Sequence, residues 1–293
     1  MRKLYSIIII FLFSLIFMQN PCFAIKIGVV VDSNRIVTGT SEIGNIVDAN
    51  TNKTIYKLDK MKAYELRPYK NYIAIKIDGS YFKMKTDNIA IRFFDEKTGY
   101  TSVKNKWYRG IIKIQNRNGK LTAINDIGLE DYIKGVVPSE MPSGWNMEAL
   151  KAQAIAARSY AMSNLGKHGS KGFDLIDTTA DQVYGGASAE RESTNQAVND
   201  TKGIVITYDS KIICAYYSAS AGGQSVNAAD AWGNNLPYIR SVPSFDGMIK
   251  KNGHGVGMSQ HGANNLAKKG YNAFQILQYF YNDVQFARLK DYV

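Results

Sequence analysis

Trp107-Tyr-Arg-Gly-Ile-Ile-Lys-Ile114, then Asn118-Gly119, then Leu121-Thr-Ala-Ile124, and shortly after them Leu129-Glu-Asp-Tyr-Ile-Lys-Gly135: within this stretch the chain changes periodicity. The first two apolar runs are rich in β-branched and aromatic residues. They flank Asn-Gly, whose tolerance of positive φ makes it a strong signal for a two-residue hairpin. From Gly128 the texture becomes helical, with about two turns over Leu129–Gly135, and Pro138 is expected to stop the helix. Upstream, Ile25-Lys-Ile-Gly-Val-Val-Val31, Tyr72-Ile-Ala-Ile-Lys-Ile77 and Tyr81-Phe-Lys-Met-Lys85 continue the strand pattern, with Asp78-Gly79 as a turn pair. Downstream, Asn146 is a plausible N-cap for a long helix with Leu150, Ala154, Ala157, Ala161 and Leu165 on one face, ended by Gly166 and Gly169. Strands are expected around Gly203–Tyr208, Ile212–Tyr217 and Val284–Leu289, and a last helix over Ala273–Phe280. Strands first and mixed elements later predict an α+β fold, with a β-rich region over 25–127 and a helix-and-strand region over 128–293.

The chain has 293 residues, 45% of them hydrophobic and only 6 prolines, which argues against disorder and against a collagen-like repeat. Met1-Arg-Lys opens it, Leu4–Met18 is apolar, and Gln19-Asn-Pro-Cys-Phe-Ala24 ends on small residues. This order of basic, apolar and small residues predicts a signal peptide over 1–24 cleaved near Ala24, or an uncleaved signal-anchor. Export accounts for the charge. The 36 basic and 25 acidic residues leave +11, which falls to +9 when Arg2 and Lys3 are removed. Outside the membrane the anionic partner is phospholipid or cell wall, and nucleic acid is not expected. Of the two cysteines only Cys214 survives cleavage, so an internal disulfide and a four-thiolate zinc site are excluded. Cys214 lies in an apolar run and reads as a small buried hydrophobe.

Four clusters could carry chemistry. Pro138-Ser-Glu140-Met-Pro-Ser-Gly-Trp145 sets one carboxyl among prolines and apolar side chains. Desolvation there would raise its pKa toward that of a general acid, whereas capping the following helix would lower it; spacing alone leaves both readings open. Lys251-Asn-Gly-His254-Gly-Val-Gly-Met-Ser-Gln-His261-Gly262 brings backbone and imidazole together, but His254 and His261 are not at the helical spacing of a zinc protease. Tyr216-Tyr-Ser-Ala-Ser-Ala-Gly-Gly223 and Thr178-Thr-Ala-Asp-Gln182-Val-Tyr184-Gly-Gly interleave rings, hydroxyls and glycines, a composition that suits carbohydrate and equally suits ordinary turns. Ser218 or Ser220 with a histidine would make a hydrolase, yet no Gly-x-Ser-x-Gly elbow is present.

Together these segments resemble the stage II sporulation protein D family. The resemblance runs from about Trp107 through Ser241 and resumes at Gly253. Its most specific parts are Leu129-Glu-Asp-Tyr-Ile-Lys-Gly-Val-Val-Pro-Ser-Glu-Met-Pro and Leu150-Lys-Ala-Gln-Ala-Ile-Ala-Ala-Arg-Ser-Tyr160. Gln182-Val-Tyr184-Gly, Trp232-Gly and Gly253-His-Gly-Val-Gly-Met-Ser-Gln260 also fit. The resemblance implies a lytic transglycosylase with a groove-type active site, cutting MurNAc–GlcNAc bonds of peptide-free peptidoglycan strands during engulfment in sporulation. It implies Glu140 as the catalytic acid and base, and Lys134, Arg158, Gln182, Tyr184, Tyr217, Ser218, Ser220 and His254 as candidate substrate contacts. A cell-wall amidase and membrane engulfment proteins are the partners it suggests, and no cofactor is expected. Some relatives place cysteines that hold zinc with a histidine after the long helix. Here Ile176 and Asp181 stand in those places, so no metal is expected and His168 is read as a surface residue. The alternatives are a non-catalytic, glycan-binding amidase enhancer and a hydrolase that leaves reducing ends.

Overall fold

The computed structural model describes residues 23–94 and 98–292. The expected signal segment therefore lies almost wholly outside the described residues, as does Cys22. Twelve strands come first: β1 (Ala24–Ser33), β2 (Ile36–Thr40), β3 (Gly44–Asp48), β4 (Thr54–Leu58), β5 (Ala63–Tyr69), β6 (Tyr72–Ile77), β7 (Ser80–Lys83), β8 (Asn88–Phe93), β9 (Thr101–Val103), β10 (Lys106–Tyr108), β11 (Ile111–Arg117) and β12 (Lys120–Gly128). Then come α1 (Leu129–Glu140), α2 (Met147–Ser163), β13 (Leu175–Ile176), α3 (Glu192–Asp200), β14 (Ile204–Tyr208), β15 (Lys211–Ile212), β16 (Tyr217–Ser218), α4 (Ala228–Trp232), β17 (Met258–Ser259), α5 (Gln260–Lys268), α6 (Ala273–Phe280) and β18 (Gln285–Arg288). The fold is α+β.

A seven-stranded sheet runs β13-β1-β12-β11-β8-β3-β4, and a six-stranded sheet runs β10-β9-β2-β5-β6-β7. Alternation drives both: along β11, for example, Ile112 and Ile114 are buried between half-exposed neighbours. Among the described residues four two-residue hairpin turns have both central residues at positive φ, the conformation that matches strand twist: Asp78-Gly79, Lys104-Asn105, Asn118-Gly119 and Asp209-Ser210. The stretch Trp107–Ile114, expected as one strand, is two. It breaks at Gly110, where φ is +71° and an added Cβ would lie 2.5 Å from the Asp126 carbonyl.

The helices depart from expectation in several places. Pro138 does not stop α1 but sits in its last turn, where the missing N–H leaves one intrahelical bond, to the Lys134 carbonyl, unmade. The Ser139 hydroxyl bonds the Gly135 carbonyl at 2.8 Å, and the Met141 N–H closes on Val137 at 2.9 Å. Asn146 does cap α2, its side chain accepting from the Glu148 N–H. Glu140 ends the preceding helix and caps nothing. The helix α2 is buried on nearly every side by α1, α3, α5, α6 and β14, which its alanines allow to approach closely. It ends before Leu165, which is exposed. The run Ile212–Tyr217 is mostly irregular between β15 and β16, and α3 and α5 were not expected at all.

One ion pair, with a fully buried arginine and a partly buried glutamate, ties these parts together. Arg158 of α2, with no exposed side-chain surface, donates from Nε and Nη2 to the two oxygens of Glu130 on α1 at 3.0 and 2.7 Å. Its Nη1 donates to the Ile204 carbonyl at 3.0 Å, and Glu130 also accepts the Gly203 N–H at 3.0 Å. Removing one member of such a pair strands the other without its partner. Arg158→Ala is expected to lower the unfolding free energy by about 3 kcal/mol or more in denaturant titration. A loss under about 1 kcal/mol, the scale of an exposed pair, would show that this one does not hold the helices.

Candidate functional site

Glu140 reaches its position because α1 is pressed against the segment 182–186. At Gly135 an added Cβ would lie 2.5 Å from the Tyr184 ring, so only glycine lets the two approach. That approach brings the Val183 N–H to Glu140 Oε1 at 2.7 Å. Among the described residues no cation pairs with Glu140. Burial pushes the Glu140 carboxyl above its ordinary value, and the single Val183 N–H only partly opposes this. Of the two readings left open by the sequence, the geometry favours the desolvated acid.

Glu140 opens into a cavity of about 420 Å³, which Tyr160, Lys167, Asp181, Tyr216, Tyr217, Ser218, Trp232 and His254 help to line. Tyr217 accepts a 2.8 Å bond from Gln182 Nε2, and Gln182 Oε1 accepts from the Tyr132 hydroxyl at 3.2 Å. The buried Gln182 therefore orients Tyr217 from behind the wall. His254 stands edge-on to Trp232, ring centres 5.1 Å apart, and its Nδ1 accepts the Val256 N–H at 2.9 Å. Burial lowers the His254 pKa, partly offset by a backbone hydrogen bond to Tyr217, so the ring is neutral at neutral pH. Ser218 Oγ accepts the Gly255 N–H at 3.2 Å. The loop that carries His254 lies close because Gly257, at φ +73°, has the Tyr216 carbonyl 2.1 Å from where a Cβ would be.

Asp181 is the second carboxylate of the cavity, with a fully buried side chain. Its Oδ1 accepts from Lys167 and from the Tyr160 hydroxyl at 3.4 Å, and its Oδ2 takes the Ile176 N–H at 2.8 Å and His168 Nε2 at 2.9 Å. Burial pushes the Asp181 pKa up, but Lys167, the Ile176 N–H and His168 outweigh it and hold the carboxyl below its ordinary value. His168 is thus not a free surface residue; it pairs with Asp181 and packs on Phe173 at 5.4 Å. The ammonium of Lys167, which ligates no metal, completes this set, and among the described residues no three His, Cys, Asp or Glu converge.

Residues 117–208 match the family model described as Stage II sporulation protein. Stage II sporulation protein D of Bacillus subtilis is 28% identical over 258 aligned residues, covering 56% of this chain and 75% of that protein. These similarities support assignment to the stage II sporulation protein D family. An uncharacterized protein of Brachyspira hyodysenteriae is 34% identical over 201 residues, 67% of this chain. The amidase enhancer of Bacillus subtilis is 45% identical over 107 residues, 36% of this chain. The chain spans 49% of the length of the Brachyspira protein and 14% of the amidase enhancer.

Of the residues that the resemblance to the stage II sporulation protein D family singles out, Tyr217, Ser218 and His254 share the cavity with Glu140, and Gln182 backs it. Four others are elsewhere. Arg158 is committed to Glu130, and Lys134 pairs with Asp131 at 3.0 Å on the wall of a different cavity. Tyr184 is wholly buried with its hydroxyl on Asn125 Oδ1 at 2.8 Å, and Ser220 is buried against Asp246 Oδ2 at 3.0 Å. Arg158, Tyr184 and Ser220 are framework, because polar side chains that look available in sequence have found partners inside the fold, whereas Lys134 faces a separate cavity. Asp246 was missed altogether. It also accepts the Ala221 and Gly223 N–H groups at 2.8 Å each and the hydroxyls of Ser244 and Ser259, pinning the loop after β16 to β17. Burial alone would push its carboxyl up, but these donors hold it down to about 2. Its only signal in sequence was an acid between phenylalanine and glycine, in Ser244-Phe-Asp-Gly247.

The raised pKa of Glu140 has a consequence for stability. The folded state disfavours the ionised carboxyl, so its contribution is complete below the ordinary glutamate range and is lost as pH climbs through the raised value. Glu140→Gln cannot ionise. Its stability advantage over wild type should grow as pH rises above about 4 in thermal unfolding, and a gap that is constant or shrinks with pH would show that Glu140 is not desolvated.

Proposed function

We propose that this chain is an exported cell-wall protein of sporulation and a lytic transglycosylase acting on peptide-free peptidoglycan strands. The observation that carries the reading is the state of Glu140: a desolvated carboxyl with one oxygen held by the Val183 N–H and, among the described residues, no hydrogen-bond partner on the other, opening into an aromatic-walled groove. A protonated Oε2 would give its proton to the bridging oxygen of the MurNAc–GlcNAc bond as that bond breaks. The resulting carboxylate would take the proton from the MurNAc C6 hydroxyl as its oxygen bonds the anomeric carbon. The products are a free GlcNAc 4-hydroxyl and a 1,6-anhydro end, and Glu140 returns to its acid form. Tyr216, Tyr217 and Trp232 offer ring faces to the sugar, with the neutral His254 as a polar group among them.

Glycosidases that use water need a second carboxylate as base or nucleophile. Asp181 is the candidate in this cavity, and both its oxygens are already taken by Lys167, Tyr160, His168 and the Ile176 N–H. A single-carboxylate route, in which the substrate supplies the nucleophile, therefore fits better than hydrolysis. The similarity to a protein called an amidase enhancer motivates the other reading, in which the groove holds glycan and stimulates an amidase without cutting.

Purified protein incubated with peptide-free strands should yield products lighter by one water per cut than hydrolytic ones. Glu140→Gln should lower the rate about 100-fold or more, the scale of a lost general acid. Equal product release by wild type and variant would remove Glu140 from the role. Faster amidase turnover with no new glycan ends would favour the enhancer reading. Tyr217→Phe, which removes the hydroxyl bonded to Gln182 but keeps the ring, should reduce the rate by less than Glu140→Gln does.

A further inference from the structure

Strands β5, β6 and β7 end the six-stranded sheet, and their register sorts alternate side chains to its two faces. Tyr64, Leu66, Ile73 and Ile75 point into the core. On the other face Tyr69 is opposite Tyr72, Lys76 is opposite Tyr81, and Lys83 and Arg67 both stand opposite Ala74. The result is three rings interleaved with three cations. Lys83 Nζ is 4.2 Å from the Tyr72 ring centre and 5.9 Å from that of Tyr69, while Arg67 and Lys76 lie 5.1 and 5.9 Å from Tyr81. Glu65 is the acid in register with them. It accepts from Arg35 and Arg67 at 2.7 Å each and from Tyr81, and that hydroxyl first, then Arg35, hold it down to about 2. Its charge is neutralised within the face, and the lysines are left in excess.

Core packing does not explain this pattern. Tyr69 and Tyr81 keep 49% and 42% of their surface exposed. Ring and ammonium together suit a polymer that offers both an apolar ring face and a regularly spaced anion. Polyglycerol phosphate satisfies the cations but gives the rings nothing to stack on. A glycan strand stripped of peptides offers pyranose faces and a free carboxylate on each muramyl residue. None of these residues lines the Glu140 cavity.

We propose that the outer face of β5–β7 is a second, non-catalytic binding surface for glycan strands with free muramyl carboxylates. It holds the polymer while the Glu140 groove acts on it. The proposal takes the identity of the polymer from the proposed function and is otherwise independent of cleavage.

The test measures binding of the full chain to long peptide-free strands, to the same strands with carboxylates converted to amides, and to polyglycerol phosphate. Lys76→Gln/Lys83→Gln and Tyr69→Ala/Tyr81→Ala should each weaken binding to long strands about tenfold, with the unfolding midpoint near that of wild type. Amidated strands should bind wild type as weakly as free strands bind the lysine variant. Turnover of fragments too short to leave the groove should be unchanged in both variants. Normal binding by either double variant overturns the proposal, as does equal competition by polyglycerol phosphate together with an unaffected tyrosine variant. Glu140→Gln should bind long strands as wild type does. Failure of wild type to cut would remove the proposed function and leave this comparison readable.

Discussion

The site rests on one hydrogen bond, from the Val183 N–H to Glu140 Oε1. For it to form, the segment 182–186 must lie flat on α1, which requires a bare backbone at Gly135 beneath the Tyr184 ring. Tyr184 is fixed in turn by its hydroxyl on Asn125 of β12 and by ring contacts with Tyr108 and Tyr132 at 5.7 and 4.9 Å. The large sheet thus sets the carboxyl through a buried cluster of tilted rings. The same segment carries Gln182, which points the other way and orients Tyr217. Three adjacent residues therefore serve the fold, the acid and the groove wall at once.

Two carboxyl groups share the groove and are driven apart by their surroundings. Glu140 is desolvated and receives one N–H, so its neutral form is favoured. Asp181 is also buried, but an ammonium, an imidazole and an N–H converge on it and keep it ionised. Separation of this kind makes Glu140 the easier of the two to protonate. It also gives the groove a fixed internal ion pair between Lys167 and Asp181, which anchors the wall after α2 without a metal ligand set.

Legibility in the sequence followed the range of the interaction responsible. The Asn118-Gly119 hairpin, the Asn146 cap and the helix Ala273–Phe280 were readable, because each depends on residues only a few positions apart. The turns at Lys104-Asn105 and Asp209-Ser210 carry no glycine and were not readable; strand pairing imposes their positive φ. The helix α3 hides in a polar segment because it buries only Thr194, Ala197 and Val198. Pro138 looked like a stop, but a last-turn proline loses one bond that the ensuing turn can spare.

By itself the sequence determined the α+β class, the change from strands to helices near residue 128, the basic charge and the one acid set among prolines and apolar side chains. These follow from local periodicity and composition. Which polar residues face the groove was decided only in three dimensions. Arg158, Lys134, Tyr184 and Ser220 look as available as Tyr217 and His254 until partners far along the chain, or in the case of Lys134 a separate cavity, claim them. The physical reason is that a buried polar group must find a partner, and in a fold with this many long-range pairings that partner is seldom a neighbour in sequence.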